Sequence, residues 1–124
     1  MATETTDSMT LAVQAMGVMD AHAAQVRAVA TQLIAEHSDS LPPLRAVRIE
    51  ASTRRVHLSL QTFTAADAQQ WARALGVTLE TPEPDRDLYE HGYFVHTVAE
   101  FVVDGVGVML CSAVWVSTRE AVAA

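Results

Sequence analysis

YFVHTVAEFVVDGVGVMLCSAVWV, residues 93 to 116, is two apolar, β-rich runs joined by Asp104-Gly105. Asp and Gly tolerate the positive φ angles of a type I′ turn, so a two-residue Asp-Gly link between such runs predicts a tight hairpin. The turn sets the register: Val103 opposes Val106, Phe101 opposes Val108, Ala99 opposes Leu110, Val95 opposes Val114 and Tyr93 opposes Val116. These pairs make one face nearly all apolar, the expected core side. On the other face Phe94 pairs with Trp115 and Val98 with Cys111, while His96 and Glu100 stand among Ala113 and Met109. That face is too apolar for simple solvent exposure. It predicts an interaction surface made of Phe94, His96, Val98, Glu100, Met109, Cys111 and Trp115.

Upstream of the hairpin, Thr81 to Gly92 is irregular, with Pro82, Pro84 and a run of acidic residues, and Val77 to Glu80 is expected to form a short strand. A loop of about 12 residues is long for a compact domain, and its acidic spacing does not match a calcium loop. Thr64-Ala65-Ala66-Asp67 predicts a helix start, with the Thr64 hydroxyl accepting an orphan amide and Asp67 placing negative charge in the first turn. Gly76 ends that helix. Ala68, Trp71, Ala72 and Leu75 fall on one of its faces, and Trp71 is the expected anchor on the sheet.

Arg45 to Ala51 and Val56 to Gln61 alternate in polarity, with Val47, Ile49 and Ala51, then Val56, Leu58 and Leu60, as the buried sets. This reads as a second hairpin through Ser52 to Arg55, bringing Glu50 opposite His57. Ser38-Asp39-Ser40 and Pro42-Pro43 separate it from a long proline-free helix, Ser8 to His37, rich in strong helix formers. Met9, Ala12, Met16, Met19, Ala23, Val26, Ala30 and Leu33 recur at steps of three and four, an apolar stripe. At about 1.5 Å per residue such a helix is roughly 45 Å long, more than a small sheet can cover. Either it breaks near Gly17, or its first half reaches out to another molecule.

The whole predicts one α+β domain over residues 1–124 in the order α-β-β-α-β-β-β, with flexible tails at 1–7 and 118–124: a long N-terminal helix, two antiparallel hairpins in one sheet and a short crossover helix. Fifteen acidic against eight basic residues give a net charge of −7, which repels nucleic-acid phosphates. Arg45, Arg48, Arg54 and Arg55 gather near one hairpin, but no nucleic-acid partner is expected. No apolar run approaches the roughly 18 residues of a membrane span, and Met1 to Ser8 lacks the pattern of a secretory signal, so a cytoplasmic protein with no membrane partner is expected. Cys111, the single cysteine, cannot form an internal disulfide and reads as a small buried hydrophobe.

Catalytic and metal chemistry finds little support. His91, His96, Glu100 and Cys111 are the nearest candidate ligands, yet strand geometry separates His96 from Glu100 by roughly 13 Å. Cys111, in mid-strand, has neither a loop nor a helix end to supply an oxyanion hole. No phosphate-binding or metalloprotease motif occurs. No cofactor, metal or catalytic residue is therefore expected.

Leu41-Pro42-Pro43, the two alternating strands and the segment Ala68 to Val77, which contains Trp71-Ala72-Arg73-Ala74-Leu75-Gly76, resemble small proteins of GC-rich actinobacteria often carried by phages and mobile elements. The resemblance covers residues 41 to 117. It implies the order of elements and a source, and brings no activity or site residues. The all-arginine basic set, without lysine, agrees with a GC-rich coding sequence. The functional expectation is a small acidic, non-catalytic interaction protein, an adaptor, inhibitor or regulator of a protein partner, acting as a homodimer. The competing expectation is a small-molecule binder or minor enzyme with a pocket between sheet and helix and His96, Glu100 or His57 at its mouth.

Overall fold

A computed structural model describes residues 7–118 as two helices on one side of a four-stranded sheet. The α+β class stands. Helix α1 spans Ser8–His37, strands β1 and β2 span Leu44–Ala51 and Val56–Thr62, helix α2 spans Ala65–Leu75, and strands β3 and β4 span Gly92–Val103 and Val106–Ser117. The expected tails fall outside the described residues except for Asp7 and Thr118, and both of these are tied down. Asp7 caps α1 by accepting the Thr10 amide at 2.8 Å, and the Thr118 amide donates to the His91 carbonyl.

Both hairpins form in the register the sequence predicts, including Glu50 opposite His57 and every pair named across the Asp104-Gly105 turn. Asp104 and Gly105 adopt φ of 48° and 77°, the left-handed geometry a type I′ turn requires. The sheet is mixed, however. Its strand order is β1-β2-β4-β3, and β2 runs parallel to β4 with Ser59 beside Met109 and Gln61 beside Cys111. The strand expected at Val77 to Glu80 reduces to one bridge, Glu80 with Val98, because the prolines that follow remove the amides a longer ladder would need.

Parallel β2 and β4 both begin at a hairpin turn, so the two turns lie at the same end of the sheet. α1 crosses that end: the His22 ring Nδ1 donates to the Ser52 carbonyl in one turn, and the Gln25 side-chain amide donates to the Asp104 carbonyl in the other at 3.0 Å. From there Val26, Val29, Ala30 and Leu33 pack on the sheet. α2 starts with the Thr64 side chain accepting the Asp67 amide and stops at Gly76 with φ 70°, as its sequence predicts. Trp71 is 2% exposed, and its Nε1–H donates to the Pro42 carbonyl at 2.9 Å. Leu58, Leu60, Ala99, Val106, Val108 and Leu110 complete the core beneath both helices.

Two expectations about burial need correction. Val47 and Ile49 point toward the helices but remain 40% and 49% exposed, since β1 is an edge strand that α1 covers only in part. The core side of the last hairpin also thins out toward Val95 and Val114, beyond the reach of the helices.

Candidate functional site

Because α1 and α2 share one face, no helix among the described residues lies over the other face of the sheet. Strand alternation sends Arg48 and Glu50 of β1, His57, Ser59 and Gln61 of β2, Met109, Cys111 and Trp115 of β4, and Phe94, His96, Val98 and Glu100 of β3 to this side. All seven residues of the predicted interaction surface therefore lie together. Phe94, Val98, Met109 and Cys111 are half-buried by their neighbours; His96, Glu100 and Trp115 are exposed.

The pairing places these side chains in ranks across the four strands. One rank reads Arg48, Ser59, Met109, Glu100; the next reads Ala46, Gln61, Cys111, Val98. The second hairpin thus contributes half of the surface, which the hairpins taken singly do not reveal. Neither Arg48 nor Glu100 has an ion-pair partner among the described residues. Glu50, by contrast, reaches Arg55 at 3.8 Å, so its carboxylate serves the turn rather than His57.

At the far end an aromatic cluster closes the face. Phe94 and Trp115 meet edge-on with centroids 5.0 Å apart, and Tyr89 of the preceding loop stands edge-on to both, at 5.6 and 5.5 Å. Such contacts favour the positive ring edge over the negative ring face. The acidic loop wraps the exposed edge of β3: Glu80 bridges Val98, Arg86 lies 4.5 Å over the Tyr93 ring, and Tyr89 reaches the open side. This wrapping also shields unpaired edge amides from other strands. Tyr89 is a surface residue that sequence reasoning placed only near a loop end.

Between loop and sheet lies a groove of about 400 Å³, bounded by Arg45, Gln61 and His96 below and by Pro82 to Asp85, Leu88 and Tyr89 above. A smaller trough of about 250 Å³ adjoins it, running past Cys111 to Arg48. His96, Glu100 and His57 stand on this open side, opposite the helices, and not at a pocket between sheet and helix as the competing expectation had them. Alternation along β2 and β3 requires this, since their odd or even neighbours Leu58 and Ala99 are in the core.

The chemistry on this face is quiet. Burial pushes the Cys111 thiol above its usual range, against a hydrogen bond from Ser59 and the charge of Arg48 that pull the other way, so at neutral pH the sulfur stays protonated. Among the described residues no three His, Cys, Asp or Glu side chains come together as metal ligands. None of the described helices is long and apolar enough to cross a membrane. No protein-family model, curated protein or solved structure matches this chain.

Proposed function

We propose that the protein is a non-catalytic interaction module, an adaptor or regulator of other proteins, whose open sheet face is closed by a second copy of the same chain. The uncovered face supports this reading: a surface with Met109 and Cys111 near its centre, Phe94 and Trp115 at one end and the polar residues of β1 and β2 along one side, that neither described helix covers. Four strands about 4.8 Å apart, two of them 12 residues long, present roughly 600 Å² on one side. With the loop residues Leu88 and Tyr89 this approaches the roughly 800 Å² per partner of a stable interface. The face carries both signs, Arg45 and Arg48 on one edge and Glu100 on the other, so opposite charges are available to pair between two copies although the chain is acidic overall.

Sedimentation equilibrium tests the reading. The parent chain is expected to be a dimer at micromolar concentration, and Met109→Asp, which puts a charge at the centre of the face, is expected to give a folded monomer. A parent that sediments as a monomer throughout that range defeats the reading. So does a dimer indifferent to Met109→Asp but abolished by removing residues 8–20, which would move the contact to α1.

A further inference from the structure

We infer that the two copies are related by a two-fold axis running along the strands, between β2 and β4, so that Arg48 of each copy meets Glu100 of the other. This rests on the self-association proposed above and specifies its geometry. Arg48 and Glu100 end the same rank at opposite edges of the sheet, with Ser59 and Met109 between them. A rotation about the strand direction lays β1 over β3 and β2 over β4 while keeping each rank at its own level; Phe94 and Trp115, past the ends of β1 and β2, then project beyond the partner's strands at the rim of the contact. Both ends of the rank then meet an opposite charge, twice per dimer. A rotation about the perpendicular in-plane axis lays β1 over β1 and β3 over β3, and when that axis passes through this rank it sets Arg48 against Arg48 and Glu100 against Glu100.

Size agrees with charge. Along the strand axis Ser59 faces Met109 and Ala46 faces Val98, a small residue against a larger one each time, as interdigitating sheets about 10 Å apart require. Arg48 and Glu100 are both exposed and unpaired within the chain, so closing the faces gives each a partner without breaking an existing ion pair. Like charges brought together in the wrong orientation cost more than the right pair gains, and the rank therefore selects orientation more than it adds affinity.

Charge reversal provides the test, read as the dimer dissociation constant by sedimentation equilibrium, with circular dichroism as the check on folding. Arg48→Glu and Glu100→Arg change the net charge in opposite directions, yet each is expected to weaken the dimer by about tenfold or more. The double variant restores both pairs and is expected to return within about threefold of the parent, the signature of direct coupling. A dimer that Met109→Asp still abolishes, but whose affinity neither single reversal changes, overturns the axis and leaves the self-association standing. Weakening without recovery in the double variant also overturns it. A parent that never dimerises removes the underlying reading itself.

Discussion

Gly92 has no room for a side chain. A Cβ added there would run into the Val116 carbonyl oxygen and the Trp115 indole, the ring that lies across the start of β3. The backbone oxygen is fixed by the β3–β4 ladder, so relief has to come from Trp115 and from the strand end itself. Gly92→Ala is expected to destabilise the fold by about 1–3 kcal/mol, the usual cost of overpacking, and to displace Trp115 from Tyr89 and Phe94. Thermal unfolding gives the first effect. Tryptophan emission gives the second once Trp71→Phe has removed the buried indole, and an unchanged melting temperature would show that the close approach is not maintained in solution. At this scale the sequence was partly readable. Asp104-Gly105 announces its turn through the φ angles both residues tolerate, and Trp71 announces its burial through its spacing with Leu75. Gly92 carries no such sign, because its constraint comes from Trp115, which is 23 residues away in sequence and becomes a neighbour only through the hairpin register.

α1 is two elements in one continuous helix. Up to Ala21 it has no buried residue and, between Ser8 and Met19, no charged side chain; from Val26 to Leu33 it forms part of the core. Gly17 does not break it, and nothing lies close to that position. His22 and Gln25 mark the boundary by binding the two hairpin turns. Because helix stability in a folded protein comes mostly from tertiary packing, removing residues 8–20 and joining Asp7 to Ala21 is expected to lower the helical circular dichroism signal while shifting the melting temperature by only a few degrees. A collapse of the cooperative transition would mean that the arm packs on the fold after all.

The elements themselves are largely legible in sequence: both helices, both hairpins and the pairing within each hairpin follow from period, caps and turn residues, all local signals. The adjacency of β2 and β4 is not local. It joins Ser59 to Met109 across α2 and the acidic loop, and neither strand carries a residue that specifies a parallel neighbour. The candidate surface was accordingly half visible. The β3 and β4 residues follow from one turn, whereas Arg48, Ser59 and Gln61 join them only through that parallel contact. Val77 to Glu80 shows the opposite error, an apolar alternation that local propensity favours and the following prolines cut short.

At the scale of the whole molecule, the parallel β2–β4 pairing determines where the arms of α1 stand. It places both hairpin turns at one end, α1 crosses that end at His22 and Gln25, and its first half extends past it. An axis along the strands preserves that direction, so both copies send their arms from the same end of the dimer, one on each outer layer. With sheets about 10 Å apart and each helix about 10 Å outside its sheet, the arms of such a dimer would run roughly 30 Å from one another with a cleft between them. A perpendicular axis would send them to opposite ends. Gln14 lies about 24 Å beyond the part of α1 centred on the sheet, from 16 residues at about 1.5 Å each. Spin labels at Gln14→Cys, in a chain whose Cys111 is replaced by Ser, are therefore expected about 30–40 Å apart in pulsed dipolar measurements. The perpendicular arrangement predicts more than about 50 Å. The longer distance in a dimer that Met109→Asp dissociates would leave the sheet faces in contact, remove the shared cleft, and place one arm at each end of the assembly.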